Sequence, residues 1–393
     1  MAFRALSKVK LKVEVKPVVD SFAFRLHYKY TLLIFLVSAF LATAYDLVGK
    51  KIDCMTPFDD PEEECHCEED SFKEAVDAYC YIMGTFTVDR HHGGKIGVDV
   101  PHPGVGPYYG TEAVTYHGYY QWVPIVLFFQ GMLFYLPHLL WKVFEGGSFR
   151  TIIQNLSIRD YLGSGDNIKN YFTRETQFDE LMKYISNHGI SHHAWALAFF
   201  FFETLNLVVA LGMIFFTDWM LGGEFLFYGA NVMEVIGMDP LNRTDPMAYV
   251  FPKMGKCTFK YFGSSGTIQV TDNMCLIATN VVNEKIYLFL WVWLLLVASV
   301  SALWLIMRIL MVAIPYLRQS FLKMYVKKEF HRDVATIMET ASLSDWFLLV
   351  NLGRNMDRMV FSEFIEHFAK ESYPEANEIE MDDVGIGRPL SRT

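Results

Sequence analysis

Four stretches of this chain are long and apolar enough to cross a bilayer whose hydrocarbon layer is roughly 30 Å thick, and they constrain everything else. They are residues 30–48 (YTLLIFLVSAFLATAYDLV), 119–141 (YYQWVPIVLFFQGMLFYLPHLLW), 194–216 (AWALAFFFFETLNLVVALGMIFF) and 286–313, which contains YLFLWVWLLLVASVSALWLIM. Any one alone would suit the core helix of a large soluble protein. Four at this length, two of them free of charge through their centres, argue for a membrane protein. Composition agrees: 52% hydrophobic against 20% charged residues is what spans plus sizeable polar portions give. A net charge of −10 speaks against a nucleic-acid partner.

Orientation follows from the bases near the span ends, because Lys and Arg accumulate on the cytoplasmic side. Arg4, Lys8, Lys10, Lys12, Lys16, Arg25 and Lys29 precede the first span. Lys142, Arg150, Arg159, Lys169, Arg174 and Lys183 lie between the second and third, and Arg308, Arg318, Lys323, Lys327, Lys328 and Arg332 come beyond the fourth. Residues 1–29, 142–193 and 314–393 are therefore expected in the cytoplasm, and the loops 49–118 and 217–285 outside. With no cleavable signal-like stretch ahead of it, the first span is expected to act as a signal anchor. All six cysteines fall in the two outer loops, where an oxidising compartment lets disulfides persist.

The first outer loop is acidic: residues 49–118 hold fourteen acids and five bases, and eight of those acids lie between Asp59 and Asp70. Such a run is a solvated face. Within it, Cys65-His66-Cys67 has the composition of a zinc or copper ligand set. However, adjacent side chains of an extended segment diverge and suit one tetrahedral site poorly. No metal is assigned; a local third disulfide and an exposed loop with unassigned thiols both remain open. His91, His92 and His102 would join such a site only if the loop folded back.

Elsewhere, Tyr119, Tyr120 and Trp122 at one end of the second span, and Trp141 with Lys142 at the other, read as interfacial anchors. Pro137, deep in that span, should bend its helix. Glu203 would be costly facing lipid, so it is expected to point into the bundle or the pore, with a hydrogen-bonding role favoured over ion conduction. Ser71 is placed as the N-cap of a short helix whose Phe72, Val76 and Tyr79 share a face. In the tail, Ser344 is placed as the cap of a helix that Gly353 ends, and Val360, Phe361, Phe364, Ile365 and Phe368 form an apolar stripe on the next. Residues from 373 onward are expected to be disordered. Asn242-Arg243-Thr244 is an N-glycosylation sequon in an outer loop. No nucleophile–base set or phosphate-binding loop is present, and His117 and His138 look isolated, so neither an enzyme nor a cofactor is expected.

The string Tyr119-Tyr120-Gln121-Trp122-Val123 at the outer edge of the second span resembles the signature of the innexins, the invertebrate gap-junction proteins. FRLHY (Phe24–Tyr28), FEGG (Phe144–Gly147), LGGEF (Leu221–Phe225), DPMAYVFPKMGKCTF (Asp245–Phe259), YFGSSG (Tyr261–Gly266), NVVNEKIYLFLWVWLLL (Asn280–Leu296) and SDWFLLVNLGRNMD (Ser344–Asp357) fall where innexins carry similar words. The resemblance is colinear from about Val18 to Ser372 and strongest to the insect branch.

What it implies is a mainly α fold: a four-transmembrane-helix channel subunit of connexin-like architecture, with two disulfide-linked extracellular loops and a helical cytoplasmic domain. The implied partners are copies of itself in a ring of about eight (an octamer), a docked hemichannel on the neighbouring cell, other innexins and membrane lipid. By the family pattern Cys54 would pair with Cys275 and Cys80 with Cys257, one bridge inside each loop being the alternative. Cys65 and Cys67 are surplus to that pattern. The resemblance further implies that the N-terminal segment, with Ala2, Phe3 and Arg4, narrows a cytoplasmic pore funnel. It also implies that Lys73, Glu74 and Asp77 border the outer pore. Around a ring, the acidic run would set a negative potential at the outer mouth. The expected function is a gap-junction subunit passing ions and small solutes between cells. A lone hemichannel is the alternative, and a tetraspanin- or claudin-like scaffold a more distant one.

Overall fold

The computed structural model describes residues 18–56, 67–147, 178–183, 189–238 and 245–372, together with 149, 176 and 185. In chain order the helices used below are α1 (Phe22–Val48), α2 (Cys67–Met83), α3 (Val123–Glu145), α4 (Gly189–Met220), α5 (Phe225–Val235) and α6 (Pro246–Val250). They continue with α7 (Ala278–Ala313), α8 (Pro315–Lys323), α9 (His331–Thr340), α10 (Leu343–Asn355) and α11 (Arg358–Ser372). The strands are β1 (Asp53–Met55), β2 (Thr85–Val88), β3 (Val114–His117), β4 (Met254–Phe262) and β5 (Ile268–Leu276). Among the described residues α1, α3, α4 and α7 are long and apolar enough to cross a membrane. Each runs beyond its apolar stretch, so the helices continue into the polar parts of the chain.

The chain divides into two units. The unit formed by 25–136 and 206–301 holds the outer loops and part of each long helix. Its helices share a buried apolar core that includes Phe35, Phe134, Ile214 and Leu290, with small and polar groups at particular crossings. A Cβ on Gly131 of α3 would stand 3.0 Å from Phe35 Cβ of α1, so the glycine sets that approach. Gln130 Nε2 donates to Thr217 Oγ1 of α4 at 2.9 Å. In α1 the residues Leu26–Thr31 form a π-helical turn, where Thr31 Oγ1 donates to the Leu26 carbonyl at 3.0 Å. His27 Nε2 lies 2.6 Å from Ser301 Oγ, and Trp293 Nε1 donates to Thr31 Oγ1 at 3.0 Å, tying this turn to α7.

The other unit comprises 1–24, 137–205 and 302–393. Trp141, Phe199 and Phe347 form its aromatic centre, with the Trp141–Phe199 rings 5.0 Å and the Phe199–Phe347 rings 5.2 Å apart. Helix α10 is almost wholly buried, and Trp346 Nε1 donates to the Arg318 carbonyl at 3.0 Å. Arg354 donates to the carbonyls of Val19 and Asp20 at 3.2 and 3.1 Å, which anchors the segment leading into α1. Of the stripe on α11, Val360, Phe361, Phe364 and Ile365 are buried.

Three expectations about helix ends change. Helix α2 begins at Cys67, so Ser71 lies inside it rather than at its cap. The cap of α10 is Ser342, which forms a capping box with Asp345; Ser344 is buried inside the first turn. Gly353 does not end α10, which continues to Asn355. It is instead a contact point, since a Cβ there would stand 2.7 Å from the Phe361 ring. Pro137 sits inside α3, which continues past it to Glu145.

Candidate functional site

The two cysteine-bearing loops build one five-stranded antiparallel sheet in the order β1-β5-β4-β2-β3. The second loop supplies the central hairpin, β4 and β5, whose turn falls at Gly263–Gly266 with Gly266 at φ 79°. The first loop supplies the strands on either side. Because β1 pairs with β5 and β2 with β4, neither loop completes the sheet alone.

Two disulfides fix this arrangement, and they are the crossed pair. Cys54 of β1 bonds to Cys275, directly opposite on β5, and Cys80 of α2 bonds to Cys257 of β4. All four cysteines are buried, in a small core with Ile52 and Val76, against which Phe72, Tyr79 and Phe259 pack. Phe72 and Tyr79 come from the helical face read in the sequence. Their rings meet Phe259 edge-on, with centroids 5.8 and 5.1 Å away. The sulfurs of Cys54, Cys80 and Cys275 cluster closely enough to resemble a metal site, but bonded sulfurs have no thiolate to offer.

Of the α2 residues linked to permeation, two are engaged locally. Asp77 Oδ1 accepts from the Cys54 amide at 2.8 Å, and Lys73 Nζ stands 3.4 Å from Asp53 Oδ1. Burial pushes the Asp77 carboxyl up from its usual value, opposed by the Cys54 N–H. Glu74 is exposed. Ala2, Phe3, Arg4, Cys65 and Asn242 lie outside the described residues, as do most of the acidic run and residues 373–393.

The signature pentapeptide does something its aromatic character did not announce. Residues Tyr119–Gln121 form a 3₁₀ turn leading into α3. The last carbonyls of α2 have no partner within their own helix. Gly84, in a left-handed conformation at φ 86°, donates back to the Cys80 carbonyl at 3.1 Å. Gln121 Nε2 donates to the Tyr81 carbonyl, and to that of Ile82 at 3.2 Å. The Tyr120 hydroxyl lies 3.4 Å from the Tyr81 carbonyl and Tyr119 Oη donates to the Val250 carbonyl at 2.9 Å. Burial pushes the Tyr120 phenol up to about 12 and Tyr119 well above its ordinary range, so both remain neutral donors. Tyr120 and Gln121 thus clamp the end of the disulfide-bearing helix, while Tyr119 holds the end of α6 through the Val250 carbonyl. Trp122 is exposed and suits the interface, and Val123 is buried.

His117 is not isolated. Its Nε2 lies 2.8 Å from Thr87 Oγ1, which also stands 3.3 Å from His92 Nε2. Gly104, at φ 77°, lets the loop close over this pair: a Cβ there would stand 2.7 Å from the His92 ring. Burial, reinforced by His92 and opposed by Asp89, lowers His117 to about 4, and burial lowers His92 too. His91 contacts the Pro107 carbonyl and His102 that of Pro103, so the three loop histidines do not converge on one site. Lys256 was unremarked in the sequence, yet its buried amine bonds to Asp272 and the Gly106 carbonyl, both at 2.6 Å, joining the loops.

In the other unit Glu203 receives two donors. Arg308 contributes Nε at 3.0 Å and Nη2 at 3.3 Å, and Trp304 Nε1 donates at 2.9 Å. Arg308 is therefore the partner of an intrahelical acid, not one of the bases beyond the fourth span. Its guanidinium also faces the rings of Phe200 and Phe347, each 5.5 Å away. His138 has Asp20 Oδ2 4.0 Å from its Nδ1, so it is not isolated either.

A sequence model described as Innexin matches residues 20–372. Innexin inx2 of Schistocerca americana is 37% identical over 355 residues, covering 90% of this chain and 93% of the relative. Innexin inx2 of Drosophila melanogaster is 37% identical over 371 residues, covering 94% and 96%. Innexin shaking-B of Drosophila melanogaster is 35% identical over 368 residues, covering 93% of each. The four apolar helices, the crossed disulfides and these similarities agree: the chain belongs to the innexin family, the gap-junction channel subunits.

Proposed function

We propose that the chain forms a ring of about eight copies around a central pore and docks, outer loop to outer loop, with a ring on the adjacent cell. Both termini and residues 142–193 lie in the cytoplasm in this reading. The observation that carries it is the sheet built jointly from both outer loops and locked by two disulfides. A surface that is already rigid loses little entropy on docking. The hairpin end leaves Phe262 and Ile268 exposed, which suits contact with another copy. The distribution of bases and the need of the disulfides for an oxidising side support the orientation.

In the same reading Ala2, Phe3 and Arg4 narrow the cytoplasmic funnel. Glu74 faces the permeation path, and Lys73 and Asp77 hold α2 against β1 beside it. The acidic run favours cations at the outer mouth. A second reading rests on the sequon at Asn242: a glycan there would obstruct docking and leave a lone hemichannel. Dye loaded into one of two paired cells expressing the chain is expected to reach the other. Dye uptake by unpaired cells without transfer would favour the hemichannel, and neither would leave only a scaffold. A mobility shift on deglycosylation, absent from Asn242→Gln, would support the glycan.

A further inference from the structure

We infer that α5, the short helix after the third span, lies in the membrane interface and takes lipid acyl chains on one exposed face. It rests on α4 and α7 crossing the bilayer but not on docking or pore formation. Helix α4 ends at Met220, and a turn through Gly222 and Gly223, at φ 74° and 89°, starts α5 almost at once. Asp218 fixes the turn, since its Oδ1 accepts from the Leu226 amide at 2.8 Å. The helix therefore has little freedom to rise away from the end of the span.

Its depth follows from what it touches on α7. The polar pair Glu284 and Lys285 marks where the apolar stretch of α7 begins. Tyr228 Oη donates to the Glu284 carbonyl at 3.2 Å, at that level. Trp291, seven residues further and so about 10 Å deeper along the helix, donates from Nε1 to the Leu226 carbonyl at 3.0 Å. A Cβ on Gly229 would run into the Trp291 ring, so the two helices are in close contact there. Helix α5 thus sits beside the apolar part of α7, not beyond it.

Its surface has three sectors at helical spacing. Phe225, Tyr228, Gly229 and Val232 are buried against the protein. Leu226, Ala230 and Met233 form an exposed apolar stripe. Glu234 and Asn231 are exposed on the sector beyond it, with Phe227, 69% exposed, between them at helical spacing. A helix covered only by water has no use for the middle sector. An apolar stripe bordered by polar groups at interface depth is the pattern of a helix lying in the membrane surface. Phe215 and Trp219, on the last turns of α4 at the edge of a span, are likewise exposed.

The test uses the full chain, purified and reconstituted in phosphatidylcholine vesicles, with photoreactive benzoylphenylalanine placed at Met233. Parallel samples carry it at Phe215 of α4 or Leu303 of α7. Irradiation at position 233 is expected to give a single chain carrying the mass of one lipid. A cross-linked pair of chains would overturn the proposal in favour of a subunit contact. Adducts at 215 or 303 with none at 233 would overturn it while leaving the spans in place. No lipid adduct at any of the three positions would remove the spans themselves and the proposal with them.

Discussion

Glu203 and Arg308 form a buried ion pair, Nε 3.0 Å from Oε2, on helices that are otherwise apolar around them. Neither charge would be stable there alone, because removing one partner strands the other without compensation. Glu203→Gln or Arg308→Met is expected to destabilise the protein by about 3–5 kcal/mol. The double change Glu203→Leu with Arg308→Met should restore much of that. Thermal unfolding in detergent measures it. Equal loss in the double variant would show that the pair does more than satisfy its own charges.

The clamp on α2 makes a graded prediction. Gln121 reaches two carbonyls with close geometry, whereas Tyr120 lies 3.4 Å from its nearer acceptor. Gln121→Leu should therefore cost more than Tyr120→Phe, about 1 kcal/mol against a few tenths, because it removes two bonds to carbonyls that α2 cannot satisfy itself. Hydrogen exchange at the amides of residues 80–84 reports it. Faster exchange in Tyr120→Phe than in Gln121→Leu would reverse the ranking.

These two sites also mark what the sequence could and could not convey. The four apolar stretches and the acid that needs a partner were legible, because burying charge and spanning a bilayer impose composition on any fold. The partner was not. Arg308 was counted with the tail bases although it lies within the fourth apolar stretch, because nothing local shows that it faces Glu203. Tyr120 was read from its ring and Gln121 only as part of the family signature, but their acceptors are backbone carbonyls some forty residues away, which every sequence has and none displays. The Ser342 cap was legible in principle: Ser342 and Asp345 have capping-box spacing, and the serine nearer the tryptophan drew attention away from it. The crossed disulfides came from family resemblance, since four cysteines alone allow three pairings.

The disulfides enclose nested loops of 221 and 177 residues. With one bridge in place the other closes only the remaining 44 or so residues, worth about 4 kcal/mol by chain entropy. Cys80→Ser with Cys257→Ser should lower stability by that amount, and so should Cys54→Ser with Cys275→Ser. Loss of both bridges should prevent the outer sheet from forming. Peptide mapping without reductant is expected to link Cys54 to Cys275; a Cys54–Cys80 fragment would contradict the sheet itself.

Buried His117 and half-buried His92 and His102 predict acid sensitivity of the outer sheet. His117 is held near 4, and His92 and His102 are also lowered, so the folded state favours the neutral rings. Unfolded chains bind these protons first. Their contribution is therefore full above about 6.5 and lost as pH falls toward 4. Asp89 opposes the effect at His92 and His117, Asp245 opposes it at His102, and His91 and Lys253 reinforce it at His92 and His102 respectively. Limited proteolysis of the outer loops at pH 7.5 and 5 should show faster cleavage in acid. The difference should be smaller in His117→Gln, and an unchanged difference would place the sensitivity elsewhere.

The most direct measurement is junctional conductance between two voltage-clamped cells that both express the chain, with surface labelling to establish that it reaches the membrane. Current between the cells, lost when Cys80→Ser unlocks α2 from β4, is the expected result. Normal surface labelling of the unaltered protein with no current between paired cells would contradict the gap-junction assignment.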